Sequence, residues 1–226
     1  MKIAVFSGSF NPLHIGHKAI MEYLTREKDF DWVYLIVSPK NPVKSTISAD
    51  SATDRYHAAV AAVKRHPELH VWVDDIELNM APPQYTIKTL DALKRREPEN
   101  DFTLIIGGDN LANIHLWRDF PRILMDYGVA VYPRNGYDAD RIRTILMEEC
   151  AKMPSPYSHD TEVIMHDEEG NMESDPHMVS DGMHGFENLL EHIYDIQILD
   201  GLKVDISSTE IREGLEAGRD MSGYLM

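Results

Sequence analysis

The sequence predicts an α/β fold, a parallel sheet flanked by helices. Two observations carry that reading: short β-rich runs alternate with longer helical patterns through most of the 226 residues, and the central runs are apolar throughout, as strands covered on both faces must be. A third stands at the front of the chain, where Ile3-Ala4-Val5-Phe6 breaks into the small-residue turn Ser7-Gly8-Ser9 and then a helix start.

Taken in order, strands are expected at 2–6, 32–37, 70–74, 102–106 and 129–132, with shorter ones at 162–165, 195–198 and 203–205. Between them lie three helical stripes, Ile20, Tyr23 and Leu24, then Tyr56, Val60 and Val63, then Ile87, Leu90 and Leu93. All three are read as core-facing. Helix starts are marked by Thr86 after Pro82-Pro83, by Asp138 ahead of Arg141-Ile142, and by Ser207 or Ser208 ahead of Ile211. No internal repeat interrupts the pattern.

One domain is expected over residues 1–226, with an insertion of different composition. Residues 153–202 hold no Lys or Arg, twelve Asp or Glu and five His. The middle of this stretch is read as an acidic, solvated loop, because Asp167-Glu168-Glu169-Gly170-Asn171 and Asp175-Pro176-His177 carry charge, Gly and Pro without an apolar period. His159, His166, His177 and His184 lack the tight spacing of a recognised metal motif, so no metal-ligating residue is assigned.

Composition narrows the function. With 43% hydrophobic residues the chain can build a substantial core. Its formal net charge of -16 argues against nucleic acid or an anionic membrane as a partner, since both require a basic footprint. Any anionic ligand must therefore meet a local cluster of positive groups. The lone Cys150 cannot form an internal disulfide and is not expected to be catalytic. No apolar run has the length of a signal-peptide core or a membrane span, and a cytoplasmic protein is expected.

Two phosphate signals lie near opposite ends of the chain. In the first, Gly8-Ser9-Phe10-Asn11-Pro12 leads into His14-Ile15-Gly16-His17. Small residues let backbone amides approach an anion, the helix start adds its positive dipole end, and two histidines three apart add donors on one face. In the second, Ile206 precedes Ser207-Ser208-Thr209 and Arg212, three hydroxyls and an arginine at a helix start, which is more than an N-cap requires. Two further loops follow predicted strands, where parallel sheets bind ligands. Residues 39–44, stiffened by Pro39 and Pro42, offer Lys40 and Lys44 to a phosphate. Gly107-Gly108-Asp109 offers close backbone approach and a carboxylate for ribose hydroxyls, while Trp117 either stacks on an aromatic base or joins the core.

Together these segments resemble the nicotinate or nicotinamide mononucleotide adenylyltransferases, a branch of the nucleotidyltransferase superfamily with a Rossmann-like parallel sheet. Residues 8–17 are similar to the family's GGTFDPxHxGH, and residues 206–212 to its ISSTxIR. Tyr85-Thr86-Ile87-Lys88-Thr89-Leu90 resembles YTxDTL, and residues 107–117 resemble GxDxxxxxxxW. Departures are local: Ser7-Gly8-Ser9 and Asn11 stand where Gly-Gly-Thr and Asp are usual, Lys88 replaces the Asp of YTxDTL, and residues 39–44 follow the PPHK loop loosely.

The resemblance implies adenylyl transfer from ATP to nicotinate mononucleotide, forming nicotinate adenine dinucleotide and pyrophosphate in NAD biosynthesis. It implies catalytic roles for His14, His17, Lys44 and Arg212. ATP would be held by Gly8, Ser9, Phe10, His17, Gly107, Asp109, Ile206, Ser207, Ser208, Thr209 and Arg212, and the mononucleotide by Asn11, Lys44, Tyr85, Thr86, Trp117 and Arg134. Mg²⁺ would be bound mainly through the ATP phosphates. A homo-oligomer is compatible with this reading. A related adenylyl- or cytidylyltransferase acting on another phosphorylated acceptor would share the His and Ser-Thr-Arg motifs, but segment 85–90 and Trp117 speak against it. A nucleotide-binding regulator without turnover is weakened by the retention of both histidines, Lys44 and Arg212. The preference for the acid or the amide mononucleotide, and the choice between Lys40 and Lys44 as the phosphate lysine, stay open at this level.

Overall fold

The computed structural model describes residues 1–39, 51–153, 194–200 and 206–226. In chain order it contains β1 (Lys2–Gly8), α1 (Ile15–Glu27), β2 (Trp32–Val37), α2 (Ala52–Lys64), β3 (Val71–Asp74), α3 (Thr86–Arg96), β4 (Asp101–Gly107), α4 (Gly108–Leu111), α5 (Phe120–Arg122), β5 (Val129–Tyr132), α6 (Ala139–Cys150), β6 (Ile196–Ile198) and α7 (Ser208–Glu216). The first five predicted strands are found within two residues of their expected limits, and β6 matches the one expected at 195–198. Those expected at 162–165 and 203–205 lie outside the described residues, as does most of the acidic stretch.

All six strands run parallel in the order β3-β2-β1-β4-β5-β6. The chain therefore winds outward in one direction from β1 to β3, returns through α3, and winds the other way from β4. Reversal opens a crevice at the carboxyl ends of β1 and β4, the place where such sheets receive ligands. Those ends are Gly8 and Gly107.

Alternation along β1 divides the core between the two faces of the sheet. Ala4 and Phe6 face Ile20, Met21 and Leu24 of α1 and Ala59 and Ala62 of α2, whereas Ile3 and Val5 face Ile87, Leu90 and Leu93 of α3 with Ile123 and Leu124. Leu24, Leu90 and Leu93 are fully buried, which is worth roughly 2 kcal/mol for each side chain. Two of the three predicted helical stripes point inward as expected. The α2 stripe needs correction: Val60 is 37% exposed, and the buried line is Arg55, Ala59 and Ala62, with Tyr56 and Val63 packed beside it. Small alanines let α2 lie close to the sheet, so Val60 is turned outward. Burial pushes the Cys150 thiol up to about 11, as befits a core residue without nucleophilic use. Among the described residues no helix is long and apolar enough to cross a membrane.

Candidate active site

The turn after β1 is shaped by Phe10. Its backbone adopts a positive φ of 43°, and its ring folds back over Gly8, where a Cβ would stand 3.1 Å from the ring edge. The same ring meets Phe6 edge-on at 5.3 Å and is only 4% exposed. Phe10 therefore contributes backbone, not side chain, to any ligand. A side chain at position 8 would press on the ring that covers it.

His14 is the N-cap of α1. Its Nδ1 accepts the Gly16 N–H at 3.2 Å, and its own N–H donates to Nδ1 of His17 at 3.2 Å. The two rings lie 3.7 Å apart, and His17 also packs edge-on against Phe10 at 5.0 Å. A ring nitrogen that accepts a backbone N–H carries no proton, so each neutral imidazole holds its proton on Nε2. Both histidines therefore offer an Nε2–H donor and not a base. Burial and then the Arg134 charge hold His14 down at about 4, with Glu210 pulling the other way. His17 is held well below its ordinary value by burial, by His14 and by Arg134.

The second phosphate signal folds against the first. Ser207 is the N-cap of α7, in a reciprocal box with Glu210 whose carboxylate accepts the Ser207 N–H at 2.7 Å. Ser208 does not cap. Its hydroxyl donates to the Pro12 carbonyl at 3.1 Å, while Arg212 Nη1 donates to the Asn11 carbonyl at 2.7 Å and Nη2 to the Thr209 hydroxyl at 3.0 Å. Asn11 and Arg212 are 201 residues apart in sequence. Two helix N-termini, those of α1 and α7, thus open beside one turn, and half-buried Ile206 directly precedes the α7 cap.

The crevice is completed from β4 and β5. Arg134 follows β5; its guanidinium lies over the Tyr132 ring at 5.5 Å, and its Nε stands 3.6 Å from Asp109 Oδ1. Those two buried atoms have no hydrogen-bond partner. They face each other as an ion pair that ties α4 to the segment after β5. A Cβ on Gly107 would collide with the Asp109 carboxylate and approach the Tyr132 ring to 3.1 Å, so a side chain there would displace that carboxylate. Trp117 and Tyr85 are both partly buried against the same core cluster, and Thr86 opens α3. Trp117 thus has one face on the core, and the alternatives of core residue and stacking platform are not exclusive. Lys40 and Lys44 lie outside the described residues, as do His159, His166, His177 and His184. Among the described residues no group of three His, Cys, Asp or Glu side chains could hold a metal ion.

Sequence reasoning missed Arg55. It is 6% exposed on the inner side of α2, and its guanidinium donates to the carbonyls of Ser9, Ser38 and Pro39, tying the turn after β1 to the loop after β2. Its signal was a charged residue on the line of Ala59 and Ala62. Also missed was Glu77, a carboxyl only 4% exposed.

Residues 5–214 match the model of the Cytidylyltransferase-like family. The chain is 37% identical over 138 residues to a protein of Flavobacterium psychrophilum described as a "Probable nicotinate-nucleotide adenylyltransferase", covering 61% of this chain and 70% of that one. The chain belongs to the Cytidylyltransferase-like family, in its nicotinate-nucleotide adenylyltransferase branch. A Cytophaga hutchinsonii protein of the same description is 40% identical over 134 residues, covering 59% of this chain and 69% of its own. The fold is also that of the Plasmodium falciparum nicotinic acid mononucleotide adenylyltransferase complexed with NaAD, at a TM-score of 0.63 and 13% identity over 99% of this chain and 90% of that one. The HxGH turn and the Ser-Ser-Thr helix start of this family are the segments that meet at the crevice.

Proposed function

We infer that the chain transfers the adenylyl group of ATP to nicotinate mononucleotide, releasing pyrophosphate and forming nicotinate adenine dinucleotide. The observation that carries this reading is the convergence of two Nε2–H donors, two helix N-termini and Arg212 at the point where the sheet reverses. A phosphate of the mononucleotide attacks the α-phosphorus of ATP in line; one P–O bond forms and the bond to the pyrophosphate oxygen breaks. That phosphate is already anionic near neutral pH, so no protein base is required, and alignment with charge stabilisation does the rest.

In this reading the residues divide by substrate. His14 and His17 donate to oxygens of the transferring phosphate. Gly8, Ser9 and the Phe10 backbone, with Ser207, Ser208, Thr209 and Arg212, line the path of the triphosphate, and Lys44 adds a charge to it. Gly107 and Asp109 face the adenosine ribose. Tyr85, Thr86 and Trp117 hold the pyridine, with Asn11 and Arg134 toward its phosphate. Mg²⁺ enters as part of MgATP and neutralises charge on the phosphates. Purified protein given MgATP and nicotinate mononucleotide is expected to release pyrophosphate and dinucleotide in equal amounts, and faster than with the amide mononucleotide or phosphopantetheine at equal concentration. Pyrophosphate released only with another acceptor would overturn the substrate assignment.

A further inference from the structure

Glu77 lies in the short turn Ile76–Leu78 and is 4% exposed, with no part in the reaction as described. A carboxyl kept from water is costly unless its oxygens are hydrogen-bonded. Here three hydroxyls surround it. Thr89, itself 2% exposed, donates to Glu77 Oε1 at 2.9 Å, and the Ser7 and Ser38 hydroxyls, 2.9 Å from one another, lie beside it and favour its charged form.

Each hydroxyl belongs to a different part of the crevice. Ser7 lies in β1 immediately before Gly8, and the Ser38 N–H donates to the Gly8 carbonyl at 2.9 Å. Thr89 lies in α3, where its N–H donates to the Tyr85 carbonyl at 3.2 Å. Since no side chain caps the start of α3, the link from Glu77 through Thr89 to Tyr85 is an anchor of that helix end to the strand ends. Ser7 stands where the resembled motif has glycine, so its hydroxyl is a feature of this chain.

We propose that Glu77, acting through Thr89, is a positioning residue that sets the first turn of α3, and with it the mononucleotide, at a fixed distance from the phosphate turn. The proposal rests on the reaction inferred above. Its distinguishing consequence is selective: ATP meets the phosphate turn and α7, to which the Thr89 hydroxyl makes no bond, whereas the mononucleotide meets α3.

The test compares wild type, Thr89→Val, Thr89→Ser and Ser7→Gly in steady-state assays with MgATP and nicotinate mononucleotide. Wild type is read first, and absence of dinucleotide there would sink the reaction itself, separately from the anchor. Thr89→Val keeps size and removes one hydroxyl; KM for the mononucleotide is expected to rise about tenfold, the worth of one buried hydrogen bond, with KM for ATP held within about twofold. Thr89→Ser is expected to restore the mononucleotide KM, because it returns the hydroxyl. Ser7→Gly, which touches the node from the opposite side, is expected to raise the same KM by a smaller factor, and it decides the matter if Thr89→Val does not fold. Equal rises in both KM values, or a lowered melting temperature with both KM values unchanged, would overturn the proposal.

Discussion

On the function proposed above, His17 has two tasks on one ring, and they can be separated. Its Nδ1 accepts the His14 N–H at 3.2 Å, which helps close the start of α1, while Nε2 is left as a donor. An asparagine places an acceptor near the position of Nδ1 and has nothing at Nε2; a glutamine reaches the position of Nε2 and leaves the amide. For H17N the helix start keeps its acceptor, so the stability loss is limited to the ring contacts with His14 at 3.7 Å, Phe10 at 5.0 Å and Phe6 at 5.9 Å. Such contacts are worth about 1 kcal/mol. Loss of one preorganised donor to the transferring phosphate costs about a hundred- to a thousandfold in kcat. For H17Q the order reverses: kcat falls less, while an unpaired amide at a helix start costs about 1 kcal/mol and lowers Tm. Pyrophosphate release gives kcat, and thermal melts of the same preparations give Tm. An H17N variant that turns over within about fivefold of wild type would refute the donor role, since a donor effect of that size is too small to be preorganised catalysis.

Three other outcomes follow from the geometry. His14 titrates at about 4 in the fold against 6.5 when exposed, so between those values the unfolded chain binds a proton that the folded chain does not; stability is expected to fall by roughly 3 kcal/mol as pH drops through that window, and H14N, which keeps an N-cap acceptor, should lose this component in denaturant titrations across pH. Equal pH slopes for the two proteins would show that the ring is not held neutral. Gly107→Ala drives a methyl into the Asp109 carboxylate and toward Tyr132, and is expected to cost about 1–3 kcal/mol and to raise KM for ATP, read by melts and kinetics; an unchanged KM would mean that Asp109 does not face ATP. Trp117→Ala should weaken use of the mononucleotide and leave KM for ATP little altered, and equal effects on both substrates would remove stacking on the pyridine as the explanation.

What could be read from the sequence was what local chemistry dictates. The strand 129–132 is apolar because both its faces are covered, as is the second half of 32–37, and the limits of both are found as predicted. Asp138 caps α6 by accepting the Arg141 N–H at 3.0 Å, as its position before an amphipathic run suggested. What could not be read depended on distant contacts. Ser207 and Ser208 are equivalent candidates for a cap until Pro12 claims the Ser208 hydroxyl from the far end of the chain. Phe10 looks like part of a ligand turn, yet its ring belongs to the core, because Phe6 and the Gly8 gap lie beneath it. Val60 satisfies helical periodicity but loses its place to two alanines that permit closer packing. Arg55 shows only as a charge on the alanine line of α2 and Glu77 not at all, because a buried ionisable group is explained only by the carbonyls and hydroxyls that the fold brings to it.

The electrostatics resolve an apparent conflict between two anionic substrates and a chain whose formal charge is -16. Positive charge stands close to the turn that carries the histidines, where Arg212 donates to the Asn11 carbonyl and the Arg134 charge acts on both rings. The histidines themselves are kept neutral by burial and by Arg134, so they add directed N–H groups without adding charge that the free enzyme would have to solvate. A neutral donor contributes little to holding a substrate that water solvates as well. It contributes more as negative charge accumulates on the transferring phosphate, because the geometry is already set and no solvent needs to reorganise. On the function proposed above, the division of labour is between arginines that would collect the anions and imidazoles that would favour their reaction.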